Sequence, residues 1–427
     1  KRQNMKLALA LCFVLAEGRD VVVGVAAGSD VVQRRMLVQS SPPPSVATYI
    51  DLSLPLVIAA AYNAHPDAVA LSTALDEIDP SAVGFKGYVV LKGTEVVAER
   101  YDVGDATSTY HIWSCTKSWA ATMIGELLYA GQLTLSTKLE DIFTTLNWGS
   151  VTAGAKKRLI TVEQLLTMSS GLTGCSGKSA TLVKTLNQGG FADGKVGSFN
   201  YVCTQKLLAW IIYEKSGLTP MEFGLSSLFP ALGVSAGEFT WPIDAGTLQN
   251  TEVGLRMTPR QLVKLLLLHR QQGLAAPGGR RLLSTTFVQT AMSSHWSSTS
   301  FSYDEKEKCG GSPKLIGYGY RFWLYGPDWV CEEGYKGQLA CYSPSLDISF
   351  GLIADSTGEV PAGYAAGCTL MQQLANLAFA GLLAPPPPPL PPFFPGAAPA
   401  PPPPATPSVG VVSQGWDFAG PDCNGAA

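Results

Sequence analysis

A serine and a lysine three positions apart, Ser114 and Lys117, are spaced in this 427-residue chain as covalent chemistry would need them. They open the stretch Ser114-Cys-Thr-Lys117-Ser-Trp-Ala-Ala-Thr-Met-Ile-Gly-Glu-Leu-Leu-Tyr-Ala-Gly131. Ala120, Met123, Ile124, Leu127 and Leu128 recur at helical spacing, and Gly131 is placed to end the helix. On a helix, a spacing of three stacks two side chains on neighbouring turns. Ser114 then lies at the helix N-terminus, where backbone N–H groups and the positive dipole end favour a developing anion. Burial, or a second cation nearby, lowers the pKa of a lysine and makes it a base for a nucleophilic serine. Taken alone, so short a motif is better read as a helix cap followed by a surface lysine, and its context decides.

That context begins with composition. The chain is 46% hydrophobic, enough for a large core, and only 15% charged with a net charge of −3. It carries no basic run or aromatic-basic stripe, so nucleic acid is not an expected partner. His65, His111, His269 and His295 are scattered, with no His-x-x-x-His or Cys-x-x-Cys pair, and no metal site is expected. Residues 5–16 form a basic-then-apolar start whose ten-residue apolar run is too short to span a bilayer. A leader over residues 1–28 and a secreted protein are expected, with an organelle as the alternative. Cys309, Cys331, Cys341 and Cys368 cluster late, as one or two extracellular disulfides would; their connectivity cannot be read from spacing. Residues 29–64, with Ser40-Ser-Pro-Pro-Pro44, read as a linker. Residues 383–427 read as a Pro-rich, disordered tail able to contact a wall or matrix.

Between these ends lie elements with clear punctuation. A helix is expected at 65–78, then strands at 87–91 and 94–100 joined by a tight turn at Lys92-Gly93. Capping boxes at Thr161/Gln164, Thr219/Glu222 and Thr258/Gln261 start three helices, and residues 204–216 form another, closed by Gly217. Strands are expected at 317–324, 337–342 and 348–354, followed by a helix at 361–382. Strands, helices, strands and a last helix imply an α+β fold with a helical insert in a split sheet.

The segments Gly87-Tyr-Val-Val-Leu91, Val97-Ala-Glu-Arg-Tyr101 and Ile112-Trp-Ser-Cys-Thr-Lys-Ser118 resemble the entry to the serine β-lactamase and penicillin-binding-protein superfamily. The branch looks like the class C β-lactamase-related esterases and 6-aminohexanoate-dimer hydrolases. Further landmarks follow in the same order at residues 131–135, 160–172, 199–203, 228–233 and 255–262, so the resemblance covers residues 65–382. It implies an antiparallel sheet flanked by N- and C-terminal helices with a helical insert domain, and chemistry with no cofactor.

The resemblance also implies three motifs. Ser114 and Lys117 make the first. Tyr201-Val-Cys203 stands for the second, with Tyr201 sharing a proton with Lys117; Cys203 departs from the usual polar residue and offers only a weak hydrogen bond. Tyr335-Lys336-Gly337 is the candidate third. There Gly337 would let substrate lie against the strand edge, and the Gln338 N–H would join that of Ser114 as an oxyanion hole. Lys336 occupies the middle position, so the family's first-position lysine role is not carried onto it. The expected activity is a serine hydrolase cleaving an ester or amide bond of a small-molecule substrate, through an acyl-enzyme on Ser114 with Lys117 and Tyr201 as general base and acid. The rivals are a D-amino-acid peptidase or β-lactamase, and a non-catalytic binding protein that keeps the fold. No Gly-x-Ser-x-Gly occurs to support another hydrolase fold.

Overall fold

Along Tyr88-Val-Val-Leu91, successive side chains enter two different apolar clusters: Tyr88 and Val90 one, Val89 and Leu91 the other. All four are at most 1% exposed, so this strand must be covered on both faces. In the computed structural model of the chain, residues 49–377 are described. Exceptions are Ala61, 78–83, 174–179, 189, 202–205, 244–246, 303–305, 307–308 and 356–359, and the side chains of 360–363. The expected leader, the Pro-rich tail and Cys203 lie outside the described residues.

The strands are β1 (Val57–Ile58), β2 (Phe85–Lys92), β3 (Glu95–Tyr101), β4 (Tyr110–His111), β5 (Ser170–Thr173), β6 (Gly190–Val196) and β7 (Arg256–Met257). They continue as β8 (Leu315–Tyr318), β9 (Trp323–Tyr325), β10 (Trp329–Glu333), β11 (Leu339–Ser343) and β12 (Ile348–Ala354). Eight of them form one sheet in the order β1-β3-β2-β12-β11-β10-β9-β8, antiparallel except for the β1–β3 pair. The helices that frame the sheet and the site are α1 (Pro66–Asp76), α2 (Thr116–Tyr129), α3 (Val162–Leu166), α4 (Leu207–Ser216), α5 (Pro220–Ser226), α6 (Pro259–Arg270) and α7 (Val360–Asn376). α1 and α7 cover one face of the sheet; α6 crosses β2, β11 and β12 on the other and joins α2 in the larger core. Gly351 makes that crossing possible, because a Cβ there would lie 2.6 Å from the Pro259 carbonyl at the start of α6. This is the expected α+β architecture, with a run of helices inserted in sequence between β3 and β8, of which α6 packs on the sheet itself.

All three capping boxes form, since each needs only a reach of three residues: Thr161 with Gln164, Thr219 with Glu222, and Thr258 with Gln261. Gly217, in the left-handed region, ends α4. The late cysteines pair as Cys309–Cys368 and Cys331–Cys341, the second across directly opposed residues of β10 and β11.

Four expectations change. The strand expected at 317–324 is a hairpin, β8 to β9, that turns at Gly319 and Arg321; a Cβ on Gly319 would lie 1.9 Å from the Ala291 carbonyl. β10 has no counterpart among the expected strands, because its end, Glu332-Glu333, reads as solvated loop although both are buried. Residues 49–60, counted with the linker, run along the domain, where Lys264 Nζ donates to the carbonyls of Leu52, Leu54 and Leu232 and β1 pairs with β3. Finally, α2 is buried on every side from Thr116 to Leu127, not along one stripe.

Candidate active site

A two-residue ladder positions the serine. His111 of β4 pairs with Arg256 of β7, and the Ile112 N–H bonds the Leu255 carbonyl at 3.0 Å. Continuing that antiparallel register brings Glu252 against the turn that carries Ser114. The turn is a 3₁₀ segment, Trp113–Cys115, running into α2, and Trp113 takes a φ of +47°. A bulky residue there is strained by roughly 1–3 kcal/mol. What offsets the strain is a bond from the Trp113 N–H to His111 Nδ1 at 2.9 Å, with the two rings 4.5 Å apart. Burial, helped by Arg256, pushes the His111 imidazole down to about 4, so the ring is neutral and Nδ1 can accept. Nothing in the sequence pattern marks His111 for this role.

Lys117 projects from the next turn and donates to Ser114 Oγ at 2.8 Å. It also donates to the Glu252 carbonyl at 3.0 Å and lies 3.6 Å from Glu252 Oε2. Its side chain is 3% exposed, that of Glu252 2%, and that of Arg321, 3.2 Å from the same Oε2, 0%. Lys117 is therefore not a surface lysine. No motif points to Glu252 or Arg321; both reach the site through tertiary contacts.

Tyr201 joins them. Its ring centroid lies 5.4 Å from Lys117 Nζ, within cation–π range, and rests against Tyr318 and Trp323. Burial pushes the phenol well above its usual range; the Ser114 hydroxyl, by a hydrogen bond, opposes the shift, and the Glu333 and Glu252 carboxylates reinforce it. The phenol is thus a proton donor at neutral pH. The structure brings Ser114, Lys117 and Tyr201 together.

The third segment sits on the turn between β10 and β11. Tyr335 contacts the Trp113 ring at 5.7 Å, and Lys336 Nζ lies 5.8 Å from that ring and 3.1 Å from Asp355. Gly337 has a φ of +96° and closes the turn with a bond to the Gly334 carbonyl. At Gly334 a Cβ would lie 2.6 Å from the Ile112 carbonyl. Gln338 is 1% exposed: its amide oxygen accepts from the Lys336 N–H, its amide nitrogen donates to the Ala354 carbonyl, and its own carbonyl faces Cys115 Sγ. Burial raises the Cys115 thiol well above its usual range, so it is no second nucleophile.

Behind the site, Glu332 is completely buried, and among the described residues neither of its oxygens has a partner in full hydrogen-bonding geometry. Burial raises its pKa well above the usual carboxylate range, eased only by the nearby Trp119 indole N–H. The folded chain keeps a proton that the unfolded chain releases above the ordinary Glu range, so this carboxyl makes stability fall as pH rises. Replacing it by Gln should therefore stabilise increasingly with pH, by up to about 1.4 kcal/mol per unit above that range. Thermal melts of both proteins at pH 5 and pH 8 check this; parallel changes in Tm would contradict it.

Among the described residues there is no group of three or more His, Cys, Asp or Glu able to hold a metal, and no helix long and apolar enough to cross a membrane. A family model described as Beta-lactamase matches residues 83–367. Solved structures share the fold. One, described as a 6-aminohexanoate-dimer hydrolase from Bacillus anthracis, is 13% identical with a TM-score of 0.58, covering 78% of this chain and 90% of its own. EstCE1, a hydrolase with promiscuous acyltransferase activity, is 13% identical with a TM-score of 0.54, covering 72% and 99%. A class C beta lactamase from Rhodobacter sphaeroides is 17% identical with a TM-score of 0.52, covering 73% and 99%.

Proposed function

The chain belongs to the beta-lactamase family, and on that basis we propose that it is a serine hydrolase cleaving an ester or amide through an acyl-enzyme on Ser114. The observation that carries this reading is the 2.8 Å contact of a 3%-exposed Lys117 with Ser114 Oγ, beside the Tyr201 phenol. Lys117, once deprotonated, takes the Ser114 proton as Oγ bonds to the substrate carbonyl carbon. The tetrahedral oxyanion is held by the Ser114 N–H together with the Gln338 N–H at the end of the β10–β11 turn. Collapse expels the alcohol or amine, which takes a proton from Tyr201, and Lys117 returns one to the phenolate. Water then attacks the acyl group by the reverse path and releases the acid.

A β-lactam or D-amino-acid peptide is the poorer fit, because the third segment, Tyr335-Lys336-Gly337, is not the Lys-Thr-Gly of β-lactamases. The two disulfides support an exported protein, since such bonds persist in oxidising compartments. A fluorophosphonate probe tests the reading directly: the label should map to the peptide containing Ser114, and a label on any other residue, or none, would sink it.

A further inference from the structure

We propose that Arg321 and Glu252 form a charge-matched pair that sets the pH at which Lys117 can take the Ser114 proton, Arg321 acting as a positioning residue through the Glu252 carboxylate. This rests on the Ser114–Lys117 reading. A carboxylate 3.6 Å from a buried ammonium, with no other cation upon it, would hold the proton on Lys117 and remove the base. Arg321 supplies the other cation, its NH1 3.2 Å from the same Glu252 Oε2. A guanidinium stays charged throughout the working pH range, so the Arg321–Glu252 pair carries no net charge. Lys117 as the amine leaves the Lys117–Glu252–Arg321 trio neutral, whereas Lys117 as the ammonium gives the trio one net positive charge. Burial of net charge favours the amine.

The fold holds Arg321 for this position from both sides. Its Nε and NH2 donate to the Leu165 carbonyl at 3.0 and 2.6 Å, and its own carbonyl accepts from Ser118 Oγ at 2.6 Å, one residue beyond Lys117 on α2. Arg321 also sits at a φ of +67°, a conformation that a long side chain adopts only when its surroundings demand it. Among the described residues, the other titratable groups around the cluster include Cys115 at the start of α2, Tyr201, Tyr318 of β8, Glu333 of β10 and Tyr364 of α7. Burial holds the first three protonated, and the Glu333 carboxylate bears on Cys115, Tyr201 and Tyr318.

The test is the rate of Ser114 labelling by a fluorophosphonate across pH 5–10, in the full chain and three variants, each checked for folding by its melt. Glu252→Gln leaves Arg321 uncompensated and should lower the apparent pKa of the alkaline rise by roughly one unit or more. Arg321→Met leaves Glu252 to Lys117 alone and should raise it by about as much. The double variant removes a neutral pair and should return to within about half a unit of the native value. A slower but unmoved profile in a folded single variant, or shifts of the same sign in both, would overturn the proposal. If Arg321→Met does not fold, the near-isosteric Glu252→Gln decides by itself. No label on Ser114 in the native chain would overturn the nucleophile reading and this proposal with it, whereas label with unmoved profiles overturns this proposal alone.

Discussion

Ser114→Ala should lower turnover of a p-nitrophenyl ester by about 10³-fold or more, to a level set by binding and oxyanion contacts alone. The loss should come with little change in stability. Removing Oγ takes one hydrogen bond from Lys117, and Nζ keeps the Glu252 carbonyl at 3.0 Å and its carboxylate at 3.6 Å, so no buried charge is stranded. Net loss of a single hydrogen bond is worth about 1 kcal/mol. Hydrolysis and thermal melts measured on the same preparation separate chemistry from folding. A variant that retains turnover would place the nucleophile elsewhere in the chain.

Lys117 and Tyr201 should behave as one unit. Lys117→Met and Tyr201→Phe should each cost about 10²–10⁴-fold, the range for a positioned acid or base, and the double variant little more than the worse single one. The reason is that the proton Lys117 takes must return through the phenol, so removing either end breaks the same path. Lys117→Met also leaves Arg321 and Glu252 paired with one another, and the fold should survive it. The rate should rise to an alkaline plateau through an apparent pKa that belongs to the coupled groups. Single-variant losses that multiply in the double variant would mean two independent contributions and no shared proton.

Both experiments concern residues that stand out in the amino-acid sequence, and for the serine and lysine the reason is locality. Ser114 and Lys117 are related by one helical turn, and the three capping boxes by a reach of three residues, so chain connectivity itself delivers each contact. The β2–β3 hairpin turns at Gly93, with a φ of +61° where only the turn chemistry matters. The α+β class follows from the order of such segments.

Glu252 and Arg321 are the opposite case. Glu252 meets Lys117 from 135 positions away, through a β4–β7 ladder of two residues, too short to leave an alternation in the sequence. Arg321 reaches Glu252 because the stretch expected as one strand folds back at Gly319, where the Ala291 carbonyl lies so close that only a glycine fits. β10 stays hidden in the sequence because carboxylates at its end are normally solvated, and only the surrounding core shows Glu332 and Glu333 to be buried. Residue type and short-range spacing thus settle which side chains carry the chemistry and on which elements they ride. The electrostatic field around those side chains belongs to the folded chain alone: burial and long-range charge pairing depend on what lies across space, and spacing along the chain does not encode it.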